Sequence, residues 1–274
     1  MHSALPSRIL LHIGLVTLLL LVAAPFGWMV AASLMPTGMA SSTPPHFIPS
    51  PATLDQYRAL FARLDFARPF FNSMLVSTLV TASSLIVNSL AGFAFAKYRF
   101  AGRDALFNGL LAAMVIPGQV TLLPVFLLLH WMGLLNTIWS LVIPGMASVF
   151  AIFLFRNQFA AIPEELIESA RIDGASDWQI YWGLMLPLAQ PIVITLALFT
   201  FLGTWNDFLW PLIVMSDHHA YTLPVALANL AGEHASDTEL MMAGAVVTTL
   251  PVVVLFLALQ RYSVEGLMAG AVKG

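Results

Sequence analysis

The stretch "PEELIESARIDGASDWQIYWGLMLPLAQP", residues 163–191, decides how the rest of the chain is read. It carries Glu164, Glu165, Glu168, Arg171, Asp173 and Asp177 in a chain of 274 residues that is 59% hydrophobic and only 9% charged. Pro163 suits the first position of a helix, where its missing N–H costs nothing, and Glu164 and Glu165 fall where the helix dipole favours negative charge. Glu168 and Arg171 lie three apart on one face of that helix, Leu166 and Ala170 four apart on another. Gly174 supplies the stop. Ser176 can cap the next helix, with Gln179 completing a capping box, and "WQIYWGLML" continues until Pro187. The pattern therefore predicts a helix, a glycine turn and a second helix. Trp178, Tyr181 and Trp182 form an aromatic face on that second helix, which can dock a partner or pack on the chain's own apolar helices.

Outward from this block the sequence is apolar. Ordinary soluble domains carry about 25% charged residues, whereas here the mean hydropathy reaches +0.86. Apolar runs of about 20 residues are long enough to cross a hydrocarbon core of about 30 Å as helices. They predict spans at 9–34, 70–96, 105–131, 137–154, 188–215 and 240–259 in a single membrane domain over 1–274, with 156–187 as the loop between spans four and five. The fold class is an all-α membrane protein with six transmembrane helices. The first run exceeds the about 7–15 apolar residues of a signal peptide, so it reads as a retained span. Residues 35–68, rich in Pro, Ser and Thr, read as an ordered extramembrane loop ending in a short amphipathic helix at Tyr57–Leu64. Pro117, Gly118 and Pro124 interrupt span three, which a membrane helix tolerates where neighbours satisfy the freed carbonyls.

Lys and Arg near span ends favour the cytoplasm. Arg8, Lys97, Arg99, Arg103, Arg156, Arg171, Arg261 and Lys273 fall on one side and only Arg58, Arg63 and Arg68 on the other, so both termini and the 156–187 loop are expected in the cytoplasm.

The net charge of −3 and the lack of a like-charge run argue against a nucleic-acid partner. The absence of cysteine excludes disulfides and thiolate chemistry. No G-x-x-x-x-G-K-[ST] stretch is present to cradle a triphosphate, and no constellation suggests catalysis on this chain. His218 and His219 do not stand at a metal-ligand spacing with Glu233 and His234, so no metal is expected. His12 reads as an interfacial or packing residue rather than a proton relay, and "GLMAG" at 266–270, despite its G-x-x-x-G spacing, as a flexible tail beyond the last span that folds against the cytoplasmic assembly rather than a membrane dimer motif.

Asp207 is the exception inside a span. A carboxylate there should face a water-filled path or a polar partner. With Trp205, Asn206 and Trp210 it could form an aromatic platform with acceptors for a polyol, or a polar knot holding helices together. Asn72, Ser73 and Asn88 of span two read as helix-packing groups or ligands, and Asn72 joins the candidate substrate path.

Glu168-Ser-Ala-Arg-Ile-Asp-Gly174, followed after nine residues by Leu184-Met-Leu-Pro187, resembles the EAA motif of ABC importer permeases: Glu-Ala-Ala, three residues, Gly, nine residues, Ile-x-Leu-Pro. Ser169 stands for the motif's first alanine and Leu184 for its isoleucine. "FFNSMLVS", "AFAKYRFAGRD", "GLLNTIWSLVIP", "GTWNDFLWPLIVM" and "VEGLMAGAVKG" extend the resemblance to the smaller permease of maltose-type carbohydrate importers, a group that includes glycerol-3-phosphate importers.

The resemblance implies a type I ABC importer permease fold with a cytoplasmic coupling helix. Glu164, Glu165, Glu168, Ser169, Ala170, Asp173, Gly174, Leu184, Leu186 and Pro187 would then couple to an ATPase. It further implies a second related permease as heterodimer partner, two ATPase subunits that bind ATP and Mg, an extracytoplasmic substrate-binding protein, and no cofactor on this chain. The expected function is inward translocation of a di- or oligosaccharide by alternating access. A glycerol-3-phosphate or glycerophosphodiester substrate is the alternative, disfavoured by the lack of basic groups in the spans. A stand-alone gradient-driven carrier or channel is the alternative of another class.

Overall fold

The computed structural model describes residues 4–44, 46–63, 65–233 and 237–271; residues 4–9, 63, 233 and 259–271 are described by their backbone alone. Leu64, His234 and Lys273, which the sequence reading uses, lie outside the described residues. Among the described residues every regular element is helical: α1 (Ala4–Ser33), α2 (Asp55–Arg63), α3 (Ala67–Lys97), α4 (Arg103–Ala113), α5 (Gly118–Trp131), α6 (Trp139–Gly145), α7 (Val149–Ala160), α8 (Glu164–Ile172), α9 (Asp177–Ile180), a π turn (Tyr181–Met185), α10 (Leu186–Leu188), α11 (Gln190–Trp205), α12 (Leu209–Val214), α13 (Leu223–Glu233) and α14 (Thr238–Ala271). Three helices are long and apolar enough to cross a bilayer, within α1, α3 and α14, and up to six spans result if each bent pair counts as one.

The bends follow from local chemistry. The run expected at 105–131 turns by 104° between α4 and α5. Pro117 stands at the turn in an extended conformation and serves as the N-cap of α5, since proline offers no N–H and pushes its predecessor out of the helical region. Pro124 stays inside α5. The run at 137–154 extends to Ala160 and bends by 43°. Ser148 restarts the helix there, its side chain accepting from the Ala151 N–H at 3.3 Å. The run at 188–215 stops at Trp205 and resumes at Leu209, with Asn206 and Asp207 at the break. Beyond the last apolar window, α14 continues through residues 266–270 to Ala271, so the backbone there is helical.

The chain divides into two compact units. The first comprises Met1–Arg68 and Ala226–Pro251. Its α1 presents Leu10, Leu11, Leu19 and Leu21 outward, each at least 60% exposed, as a helix facing lipid would. The polar loop after α1 is held by side chains. Gln56 donates to the Met35 carbonyl and to Thr37, the Ser33 and Tyr57 hydroxyls meet at 2.7 Å, and fully buried Glu239 accepts from the Ala40 N–H.

The second unit comprises Pro69–Val225 and Val252–Gly274. Phe93 of α3, Phe155 and Phe159 of α7, Ile167 of α8, Ile180 and Tyr181 of the 177–188 helix and Leu196 of α11 share one core. In a bilayer lipid is as apolar as leucine, so close packing and hydrogen bonds hold such a core. Gly92 permits the closest approach, since a Cβ there would meet Phe155 Cβ at 2.5 Å and the Arg156 backbone nitrogen at 2.9 Å. Buried Asn88 accepts from the Ser148 N–H at 2.9 Å and donates to Ser84 at 2.7 Å, a packing role between α3 and the start of α7.

Candidate functional site

The 163–188 segment is fixed by its own backbone chemistry. Pro163 takes the N-cap position with α8 beginning at Glu164, one residue later than the pattern predicts. At the other end Gly174 has a φ of 84°. The Ala175 N–H reaches the Ala170 carbonyl at 2.9 Å and the Gly174 N–H the Arg171 carbonyl at 3.0 Å, the paired bonds of a Schellman turn. Ser176 and Gln179 then form the reciprocal capping box of α9. The second helix widens into a π turn over Tyr181–Met185, where the Leu186 N–H bonds the Tyr181 carbonyl five residues back. It runs on through Pro187 to Leu188, then bends by 80° into α11.

Glu165, Glu168, Ser169, Asp173 and Gly174 are exposed, whereas Ala170, Leu184 and Leu186 are half-buried against the core and Pro187 is exposed. Ile172 is 86% exposed at the tip and Leu166 also faces outward. The aromatic face divides. Tyr181 is buried, its hydroxyl 2.6 Å from Ser89 Oγ, while Trp178 and Trp182 remain exposed. Arg171 shares a face with Glu168, but its guanidinium pairs with Asp177 at 3.0 Å across the glycine turn. Tyr98 donates to the other Asp177 oxygen at 2.7 Å. That hydrogen bond first, and Arg171 next, hold the Asp177 carboxyl below its ordinary range. Lys97 donates to the Ile162 carbonyl at 2.7 Å and to Glu164 at 3.1 Å. Lys97 and Tyr98 stand far from this block in sequence, and only the fold brings the end of α3 against its two helices.

A separate cavity of about 270 Å³ lies between α3, α5, α6 and the α11–α12 break, and Ser73, Thr121, Thr204, Asp207, Trp210 and Thr222 contribute its polar or aromatic lining. Asp207, just before α12, accepts from the Trp210 N–H at 3.4 Å, and Trp210 donates its indole N–H to the Ser140 carbonyl at 3.0 Å. The buried Thr222 hydroxyl has no hydrogen-bond partner among the described residues. The other residues of the proposed platform lie elsewhere. Trp205 is fully buried against Phe70 and Phe201, Asn206 bonds back to the Leu202 carbonyl, and Asn72 straps the His219 and Tyr221 carbonyls. His218 packs edge-on against Tyr221. The hydroxyls of Thr121, Thr204 and Thr222 carry no signal in the sequence, because isolated threonines in apolar runs are common packing residues.

Apolar helices long enough to span a bilayer, with a capped charged segment packed on them, make this an integral membrane protein. The chain belongs to the family described as binding-protein-dependent transport system inner membrane component, whose model matches residues 88–268. It is 35% identical to the arabinooligosaccharides transport system permease protein AraQ of Halalkalibacterium halodurans over 97% of this chain and 96% of that one. It is 33% identical to the lactose transport system permease protein LacG of Rhizobium radiobacter, over 91% and 90%. Its fold matches that of a chain from a bacterial ABC transporter involved in the import of the acidic polysaccharide alginate, with a TM-score of 0.84 at 24% identity over 96% of this chain and 98% of that chain. The type I ABC importer permease fold expected from the sequence is thus the observed one.

Proposed function

We propose that the chain is one of two related permeases of an ATP-driven importer for a neutral di- or oligosaccharide. It would assemble with a second permease, two ATPase subunits carrying Mg and ATP, and an extracytoplasmic binding protein, with both termini in the cytoplasm and no cofactor of its own. The observation that carries this reading is the 163–188 segment, a helical pair stiffened at its turn and its caps, exposing Ile172 and Leu166 beside Glu165 and Glu168. Such a segment meets a partner without the entropic cost of ordering on contact. Glu164, Glu165, Glu168, Ser169, Ala170, Asp173, Gly174, Leu184, Leu186 and Pro187 form or support the ATPase-coupling surface, and closure of the ATPases would move the helices packed on it.

The carbohydrate reading draws on the relatives named for arabinooligosaccharides and lactose. Hydroxyls with the carboxylate of Asp207 and the ring of Trp210 suit a polyol, and Asp207 is the charged group among the cavity's described lining residues. With a carboxylate as the charged group of that described lining, a negatively charged glycerol phosphate is disfavoured.

The test is recovery of partners in mild detergent with the wild type and with Gly174→Asp, followed by ATPase assay. Recovery of an ATPase with the wild type and its loss with the variant supports the coupling role. Recovery with neither sinks the importer reading and leaves a gradient-driven carrier to be tested.

A further inference from the structure

Two consecutive residues at the end of α3 grip both helices of the coupling segment. Lys97, its side chain only 7% exposed, places its ammonium on the Ile162 carbonyl at 2.7 Å and on Glu164 at 3.1 Å, at the start of α8. Tyr98 donates to Asp177 at 2.7 Å, at the start of α9, and Arg171 closes the link between α8 and α9 through the same carboxylate. A further residue of α3, Ser89, meets the Tyr181 hydroxyl at 2.6 Å and fastens α3 to the π turn. A buried ammonium must keep its acceptors, since losing them would leave a charge without compensation.

The same helix lines the cavity with Ser73, Val76 and Val80. Helix α3 runs unbroken over 31 residues, about 46 Å at 1.5 Å per residue. The other cavity-lining helices reach it through bends of 104°, 43° and 80° in their pairs. A bend absorbs displacement, whereas an unbroken helix held at one end passes it to the other.

We propose that Lys97 and Tyr98 are positioning residues that hand the motion of the coupling segment to α3, which makes α3 the helix that opens and closes the cavity. This rests on the reading of α8 as the surface that docks the ATPase.

The test uses the complete importer in liposomes, with its ATPase and binding protein, and reads two quantities: the amount of ATPase assembled and the sugar carried per ATP hydrolysed. Lys97→Met keeps the aliphatic stem and removes the donor. It is expected to retain its ATPase and to lose about tenfold in sugar per ATP, while Lys97→Arg stays within about twofold of the wild type. Tyr98→Phe keeps the ring against Phe93, 5.6 Å away between centroids, and should lose about threefold, one neutral-to-charged hydrogen bond having gone. Wild-type coupling in Lys97→Met overturns the inference. Should Lys97→Met fail to assemble, Tyr98→Phe decides, and unchanged sugar per ATP in that variant overturns it equally. The two readings separate through Gly174→Asp. If that variant keeps its ATPase, the docking reading fails and this inference with it. If it loses its ATPase while Lys97→Met couples normally, only this inference falls.

Discussion

In the 163–188 segment polar side chains chiefly answer nearby backbone or bridge neighbouring helices, whereas around Asp207 residues adjacent in sequence part company. Ser176, Gln179 and Gly174 act within a few residues of themselves. Trp205, Asn206, Asp207 and Trp210 span one break in a helix, yet one joins the core, one turns back on its own helix, and only Asp207 and Trp210 reach the cavity. The difference teaches that a rigid handle can be specified by local rules, while a cavity is a property of the helices that happen to surround it.

The strongest way to break this comparison is to disturb the packing of α3, the helix that reaches both regions. Gly92→Ala would drive a methyl into Phe155 and the Arg156 backbone, at a cost of about 3 kcal/mol, read as a fall in thermal stability of the purified protein. Gly109→Ala, where nothing lies within 4 Å, is the control and should leave stability within about 0.5 kcal/mol or raise it slightly. Equal effects of the two substitutions would disprove the close approach of α3 to α7.

Asp207 sharpens the comparison at the cavity. Asp207→Ala removes the acceptor of the Trp210 N–H and should cost about 1 kcal/mol, whereas Asp207→Asn keeps an acceptor there and should unfold like the wild type. If the carboxylate also meets substrate, the Asn variant transports with a raised KM; wild-type transport kinetics in that variant would reduce Asp207 to a backbone acceptor.

At the handle, Gly174→Ala meets no steric obstacle but must hold a φ of 84°. The expected loss is about 1 kcal/mol, seen as faster hydrogen exchange at the Ala175 amide, and unchanged exchange would argue against strain at the turn. The smallest effect belongs to Asp177. Its folded pKa lies below the ordinary 3.8, so its contribution is present above that value and is lost as pH falls through the folded one. With both Asp177 and Arg171 about half exposed, Asp177→Asn should cost well under about 1 kcal/mol at pH 7. The gap from wild type should close on acidification below 3.8; a gap that persisted at lower pH would assign the loss to something other than the ionised carboxylate.

Legibility in the sequence follows the same division. The glycine stop, the capping box and the helix on either side of them could be read from residues 163–191 because each depends on partners within a turn of chain. Apolar length located the long helices of α1, α3 and α14, since hydropathy over about 20 residues measures lipid compatibility directly. It was a poorer guide at Met114–Pro117, at Ser148 and at Asn206–Asp207, where the chain turns without becoming less apolar overall. Glu239 escaped notice at the edge of an apolar run, because nothing local shows that its partner is the Ala40 N–H, far away in sequence.

The sequence by itself determined that the chain is helical, membrane-spanning and equipped with a charged helical pair, because hydropathy, capping and backbone preference are short-range properties. Only the tertiary structure decided that Tyr181 packs inward while Trp178 and Trp182 stay out, that Lys97 and Tyr98 hold the handle, and that Asp207 shares a cavity with Thr121 and Thr222. Those pairings join segments tens of residues apart, and their geometry follows from how closely the helices approach and where they bend.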